Sequence, residues 1–180
     1  YDWRPYLASL GYDERTSEIL ADAVFRSEDR ERGDRGGITS REWEQLFIEN
    51  APAYEEQIRQ VYGGIEHTIF PLPYTERLVR FLKKEGLKLY YLSNYSEHLY
   101  QKTKQCMGFL EEFDGGLFSY EVLCIKPEER IYRLLLEKYG IDPKRAVFFD
   151  DRQVNTEAAS RLGIKGVVFQ PDMAYHILDV

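Results

Sequence analysis

The feature that most constrains the fold lies after about residue 70, where helical segments alternate with short, almost uniformly apolar segments. Strands are predicted at 87–92, 116–119, 146–149 and 166–169, and helices at 75–85, 94–107, 127–139 and 152–162. Short strands without polar alternation are buried on both faces, which is typical of a parallel sheet covered by helices on each side. We therefore predict an α/β fold with a mainly parallel sheet in a three-layer core.

The first 70 residues show helical patterns and no strand signal. Helices are predicted at 13–30, behind a capping box formed by Thr39 and Glu42, and at 52–63. Residues 70–74 contain two prolines, which favour an extended connector. Because these helices cannot join the sheet, we expect residues 1–70 to form an α-helical cap beside an α/β core of residues 71–180.

Composition and charge exclude several classes of protein. The 180 residues are 43% hydrophobic and 31% charged, which suits a globular chain rather than a disordered one. A net charge of −7 disfavours nucleic acid and anionic membranes as partners, and no apolar run approaches the roughly 18 residues of a membrane span.

Cys106 and Cys124 are too few for a disulfide framework, so we expect two buried thiols in a cytoplasmic protein. His67, His98 and His176 share no metal-ligand spacing, and we interpret each as a surface or packing residue.

Polar residues stand where the predicted strands end. Ser93 and Asn94 follow the first strand, Asp150 and Asp151 follow the third, and Lys126 directly precedes a predicted helix. Because ligands bind at the carboxyl ends of strands in an open parallel sheet, we expect these side chains at one edge. Each also has a structural interpretation: Ser93, Asn94 or Asp151 could cap a helix, and Lys126 could be a solvated surface lysine.

The chemistry of this set favours phosphoryl transfer. Two adjacent carboxylates repel each other unless a cation lies nearby, and carboxylate oxygens suit Mg²⁺. Catalysis of phosphoryl transfer depends mostly on positioning and on electrostatic stabilisation of a negatively charged group. Asp150 and Asp151 with Mg²⁺, the Lys126 ammonium and the Ser93 hydroxyl supply such groups, but the set contains neither a nucleophile nor a general acid.

Three segments resemble the second, third and fourth motifs of the haloacid dehalogenase-like superfamily: YYLSN at 90–94, IKPEERIY at 125–132 and VFFDDRQVNTEAASRLGI at 147–164. The resemblance is closest to its Mg-dependent phosphatases with a helical cap, including bacterial sugar-phosphate phosphatases and the phosphatase domain of soluble epoxide hydrolases. It implies a HAD-like Rossmannoid core with an inserted cap, and hydrolysis of a small phosphorylated metabolite, most simply a sugar phosphate.

The same resemblance implies a role for each site residue. Ser93 would hydrogen-bond a phosphate oxygen, with Asn94 orienting that loop. Lys126 would stabilise both the nucleophile and the transferring phosphoryl group. Asp150 and Asp151 would hold Mg²⁺, one directly and the other either directly or through water, and Asn155 would support the acidic pair.

The family's first motif is missing from these residues. It is a strand ending in Asp-x-Asp, whose first Asp attacks phosphorus and whose second acts as general acid and base. No apolar strand leading into Asp-x-Asp precedes the helical segment, so we expect the nucleophile and the central strand upstream of residue 1. The strand could instead come from another chain, or the protein could be a catalytically silent phosphate-binding or interaction module. The alternative activity within the family is that of a 2-haloacid dehalogenase. Such an enzyme needs no metal, so the Asp150–Asp151 pair argues against it.

Overall fold

Residues 2–179, which the computed structural model describes, form helices up to residue 68 and alternating strands and helices from residue 75 onward. The helices of the first segment, called the helical part, are α1 (Arg4–Ser9), α2 (Glu14–Leu20), α3 (Asp29–Arg35), α4 (Ser40–Asn50) and α5 (Glu55–Gly63), with a π-helical turn at Ala21–Phe25 and 3₁₀ turns at Pro52–Tyr54 and Ile65–Thr68. The prediction of one helix over 13–30 is wrong. The apolar stripe ends at Phe25, and the backbone N–H of Asp29 donates to the Ser27 hydroxyl where the next helix begins.

The capping box at the start of α4 is confirmed. The hydroxyl of Thr39 accepts from the backbone N–H of Glu42 at 3.2 Å, and the Glu42 carboxylate accepts from the backbone N–H of Thr39 at 2.7 Å. Behind this cap, Trp43 and Phe47 are buried in the helical part. A Cβ on Gly33 would overlap the Trp43 ring, so glycine allows α3 and α4 to pack closely.

The second segment, called the α/β part, contains four short strands and the helices between them. Its elements are α6 (Thr75–Lys84), β1 (Tyr90–Ser93), α7 (Glu97–Thr103), β2 (Gly115–Phe118), α8 (Ser119–Val122), α9 (Glu129–Tyr139), β3 (Val147–Asp150), α10 (Gln153–Arg161), β4 (Lys165–Val168) and α11 (Pro171–Leu178). The paired strands are parallel, as the sequence predicts. Helix α7 begins later than predicted because Ser96, not Ser93 or Asn94, caps it.

Within residues 2–179 the strands form two separate two-stranded sheets rather than one. β1 pairs with β2 and β3 pairs with β4, so each strand has one edge without a strand partner among the described residues. On β3, Phe148 packs against Tyr132, whereas Val147 and Phe149 are 50% and 47% exposed. The central strand that the sequence analysis expects upstream of residue 1 lies outside the described residues and stays a prediction.

Two contacts position strands of the two sheets against their neighbouring helices. Before β1, the Asp114 carboxylate accepts from Lys83 Nζ at 2.7 Å and from the backbone N–H of Leu89 at 2.8 Å. In β4, a Cβ on Gly166 would overlap the carbonyl oxygen of Thr156, so α10 lies directly on the strand. Both contacts hold a strand to its neighbouring helix.

Two hydrophobic clusters stabilise the chain. One joins the helical part to Tyr95, Leu99 and Phe118 of the α/β part, and the other lies between the strands and helices α9 and α10. Cys124 is buried in the second cluster, as predicted, but the prediction for Cys106 is wrong because it is exposed in a 3₁₀ turn that follows α7. No helix within residues 2–179 is long and apolar enough to cross a bilayer.

Candidate active site

The carboxyl ends of β1 and β3 are joined through Lys126, which lies on the loop between α8 and α9. Ser93 is the last residue of β1 and Asp150 the last of β3. Lys126 Nζ lies 2.6 Å from Asp150 Oδ2. The Asn94 amide donates to the Lys126 carbonyl at 3.0 Å and accepts from its backbone N–H at 2.8 Å. The structure therefore brings Asn94, Lys126 and Asp150 into one network, with the half-buried Ser93 adjacent to Asn94 in the chain.

Asp150 is buried and its charge is compensated. The residue is 8% exposed, and its Oδ1 accepts from the backbone N–H of Arg152 at 2.9 Å and from the Asn155 amide at 2.8 Å. Burial raises the pKa of Asp150, but the Lys126 ammonium, the Arg152 N–H and the Asn155 amide outweigh burial and hold the pKa below its usual value. Asp150 is therefore an ionised carboxylate at neutral pH.

The alternative that Lys126 is a solvated surface lysine is wrong. Its side chain is 11% exposed, and its ammonium lies 5.5 Å from the centroid of the Phe148 ring. The predicted helix start is also wrong, since α9 begins at Glu129 and the Lys126–Pro127 peptide bond is cis in the loop before it. Lys126 is thus positioned by the loop and by Asn94 rather than by the first turn of a helix.

Asp151 differs from Asp150 in its surroundings. It is exposed, and the residue that precedes the first turn of α10 is Arg152, so the alternative that Asp151 caps this helix is wrong. Asn155 lies in α10, where the Tyr132 hydroxyl donates to its carbonyl at 2.9 Å. The Asn155 side-chain Oδ1 is buried and has no hydrogen-bond partner.

This orphaned oxygen bears on whether the site suits a magnesium ion. Mg²⁺ prefers oxygen ligands, keeps several waters and takes one or two carboxylates from the protein. Asp150 Oδ2 accepts one hydrogen bond and retains a lone pair, Asp151 is open to solvent, and Asn155 Oδ1 lacks a donor. These oxygens fit the ion and its waters, although no cluster of three or more metal-ligating side chains occurs in the described part of the chain.

Sequence reasoning missed the contacts that join the helical part to the site loops. Arg35 Nη2 lies 2.5 Å from Glu128 Oε1, two residues beyond Lys126. The Ser119 hydroxyl donates to the carbonyl of Asp34. An ion pair or a hydroxyl–carbonyl hydrogen bond between residues far apart in the chain leaves no periodic signal in a sequence. Neither contact could therefore be predicted from the pattern.

Comparison with known proteins gives a family match over most of the chain. Residues 11–163 match the model of the haloacid dehalogenase-like hydrolases. A phosphoserine phosphatase of Thermus thermophilus is 27% identical over 124 residues, which cover 67% of this chain and 50% of that protein. A phosphorylated carbohydrates phosphatase of Thermotoga maritima is 26% identical over 95 residues, which cover 53% of this chain and 44% of that protein. The chain therefore spans about half the length of these two relatives.

A solved structure agrees with this match. A mutant of a HAD family enzyme from Bacteroides thetaiotaomicron, crystallised in complex with magnesium and inorganic phosphate, is 26% identical to this chain. The alignment covers 77% of this chain and 71% of that one, with a TM-score of 0.65.

Proposed function

The chain belongs to the haloacid dehalogenase-like hydrolase family, and on that premise we propose that it carries the phosphate-binding and metal-binding groups of a Mg²⁺-dependent phosphomonoester hydrolase. The observation that carries the proposal is the buried Lys126–Asp150 pair where the ends of β1 and β3 are joined. A buried ion pair at a strand end is costly to desolvate, and such perturbed groups concentrate at functional sites.

Each residue of the candidate site has a task in this mechanism. The Ser93 hydroxyl donates to a phosphate oxygen, and the Lys126 ammonium neutralises charge that builds up on the transferring group. Asn94 fixes the backbone of Lys126 and so sets where the ammonium lies. Asp150 and Asp151 would hold Mg²⁺, with Asn155 orienting Asp150; the ion supplies positive charge beside the phosphate.

We place the nucleophile outside these residues. An Asp would attack phosphorus to form an aspartyl-phosphate and release the alcohol, and water would then cleave that intermediate to give inorganic phosphate. Within residues 2–179, β1 and β3 each have an edge without a strand partner, which supports a further parallel strand between the two two-stranded sheets; its carboxyl end would meet Lys126. The helical part acts in this proposal as a cap, with residues 70–74 as its hinge.

The names of two relatives support a small phosphorylated metabolite as substrate, because one is a phosphorylated carbohydrates phosphatase and the other a phosphoserine phosphatase. We take a sugar phosphate as the favoured member of this class. If the protein released chloride from 2-chloropropionate and a chelator did not reduce this activity, the result would favour a dehalogenase over the phosphatase.

The test compares p-nitrophenyl phosphate hydrolysis by the 180-residue chain and by a chain extended with the segment encoded immediately upstream. We expect hydrolysis from the extended chain with Mg²⁺, none with EDTA, and none from the shorter chain. In the extended chain, Lys126→Met should lower kcat by at least about 100-fold, whereas Lys144→Met, the same change at an exposed lysine, should leave kcat unchanged. Turnover by the 180 residues alone would refute our placement of the nucleophile.

A further inference from the structure

The end of α3 contacts both ends of the segment that carries the site lysine. This segment, called the lysine segment, comprises residues 119–128, from the start of α8 to the residue before α9. At its first residue, the buried Ser119 hydroxyl donates to the carbonyl of Asp34. At its last residue, Glu128 Oε1 lies 2.5 Å from Arg35 Nη2. Two consecutive residues of the helical part therefore hold the two ends of the lysine segment.

The backbone after α3 lies directly against the start of the lysine segment. Gly36 follows α3 with a φ of +82°, and a Cβ at this position would lie 2.8 Å from the Tyr120 carbonyl oxygen. That distance is shorter than a real side-chain carbon tolerates, so glycine permits the close approach. The Tyr95 N–H donates to the Ser119 hydroxyl oxygen at 2.8 Å. The loop after β1, the lysine segment and the end of α3 therefore meet at one junction.

The lysine segment contains a strained residue. Leu123 has φ +53° and ψ +34°, in the left-handed region that favours glycine. A non-glycine residue keeps such a conformation only where the surrounding contacts impose it. Leu123 is 53% exposed, so burial of its own side chain does not supply this compensation. Contacts of its neighbours in the segment must do so, and these include the contacts of Ser119 and Glu128 with α3.

Glu128 belongs to the turn in which Lys126 lies. Its backbone N–H donates to the Ile125 carbonyl at 2.9 Å, which closes the turn. The side chain of Asn94 holds the same turn from the end of β1, through the N–H and the carbonyl of Lys126. The turn is thus fixed from two sides, by Asn94 of the α/β part and, through Glu128, by Arg35 of the helical part.

The value of the Arg35–Glu128 contact lies in geometry rather than in stability. The two side chains are 45% and 39% exposed, and an exposed ion pair contributes little to the free energy of unfolding. The electrostatic effect of an ammonium on a reacting group depends instead on its exact placement, and a displacement of about 1 Å can cost about 100-fold in rate.

We propose that Arg35 is a positioning residue for the reaction: through Glu128 it fixes the turn that carries Lys126 and so places the ammonium for the transferring phosphoryl group. The inference rests on the proposed phosphatase function, because that proposal assigns Lys126 to the phosphoryl group. It gives the helical part a role in the chemical step that requires no contact with the substrate.

The first test requires no turnover. In the 180-residue chain without metal, NMR measures the ¹⁵N chemical shift of the Lys126 ammonium at one fixed, mildly acidic pH, with Lys126→Met to assign the signal. Arg35→Met and Glu128→Gln should shift this signal in the same direction, because both release the turn. A direct effect of the lost charges would have opposite signs for the two changes. Arg32→Met, the same change at an exposed arginine of α3, should leave the signal in place.

The second test uses p-nitrophenyl phosphate and the extended chain with Mg²⁺. Arg35→Met should lower kcat by at least about tenfold and leave KM within about twofold, because the ammonium acts on the transition state. Arg35→Lys keeps the positive charge and should retain kcat within about threefold. Arg32→Met should leave both constants unchanged.

An ammonium signal that neither Arg35→Met nor Glu128→Gln alters, or a kcat that Arg35→Met does not lower, would overturn the inference. Signal shifts of opposite sign in these two variants would also overturn it. The expected shifts in an extended chain that shows no hydrolysis would uphold the placement of Lys126 by Arg35 and reject the phosphatase. Hydrolysis with an unaltered signal would reject the positioning role alone.

Discussion

Replacement of Lys126 by methionine tests the network that joins β1 to β3. The change removes the ammonium that lies 2.6 Å from Asp150 and leaves a carboxylate that is 5% exposed. Removal of one partner from a buried ion pair costs about 3–5 kcal/mol. Asp150 keeps hydrogen bonds from the Arg152 N–H and the Asn155 amide, so we expect the lower end of this range, about 3 kcal/mol of lost unfolding free energy at neutral pH.

The pH dependence has a definite sign. In the wild type the folded pKa of Asp150 lies below its unfolded pKa of about 3.9. The stability that the ionised Asp150 contributes is therefore fully present above the unfolded pKa and is lost as the pH falls through the folded pKa. In Lys126→Met the burial of Asp150 is no longer opposed by the ammonium, so the pKa of this carboxyl rises. The difference in stability between variant and wild type should therefore narrow as the pH falls from about 7 to about 4.

Urea denaturation in metal-free buffer measures this difference, and carboxyl NMR titration measures the pKa of Asp150 directly. The double variant Lys126→Met/Asp150→Asn should recover part of the loss, with a coupling energy of about 2 kcal/mol. Lys144→Met is the matched control and should change stability by less than about 0.5 kcal/mol. An unchanged pKa of Asp150 in Lys126→Met, or zero coupling energy, would refute the argument that this pair is formed and buried.

Three further substitutions test other parts of the fold. Asn94→Ala removes both hydrogen bonds to the loop that carries Lys126 and should lower the free energy of unfolding, measured by urea denaturation, by about 2 kcal/mol. A change near zero would mean that Asn94 does not stabilise this loop. Gly166→Ala should cost about 1–3 kcal/mol because a backbone carbonyl of α10 cannot move aside, whereas Gly108→Ala, in open space, should stay within about 0.5 kcal/mol. Equal melting temperatures of these two variants would contradict that packing. The Lys83 ammonium and a backbone N–H lower the pKa of Asp114. The ionised Asp114 carboxylate therefore contributes to the free energy of unfolding above its unfolded pKa, and this contribution is lost as the pH falls through the folded pKa. The melting temperatures of wild type and Asp114→Asn should therefore converge below about pH 4, and a constant difference would count against this.

The sequence predicted the strand ends well because parallel strands have their carboxyl ends on one side. The apolar segments placed Ser93 and Asp150 directly after predicted strands 87–92 and 146–149, and β1 and β3 end one residue later than predicted, at these two residues. This pattern does not specify that Lys126 contacts Asp150 directly, because the two residues are 24 positions apart and the contact depends on the path of a loop.

Other errors have local physical causes. Pro127 resembles the first residue of a helix, yet α9 begins two residues later, after a turn in which the Glu128 N–H donates to the Ile125 carbonyl. Helix α1 is only six residues long, which is too short for periodicity to reveal. The exposure of Cys106 follows from where α7 ends, and helix ends are set by caps and tertiary contacts that a pattern does not contain.

The division of the strands into two pairs also determines how this polypeptide behaves at high concentration. Among residues 2–179 each strand has an edge without a strand neighbour, and such an edge presents N–H and C=O groups that template pairing with another molecule. On β3 the exposed side chains of Val147 and Phe149 add apolar surface. A net charge of −7 keeps molecules apart, but salt screens this repulsion beyond about 10 Å at 0.1 M. For any chain that leaves these edges uncovered, we therefore expect aggregation through intermolecular β-pairing to increase with ionic strength, and we expect low-salt buffers to favour the monodisperse protein.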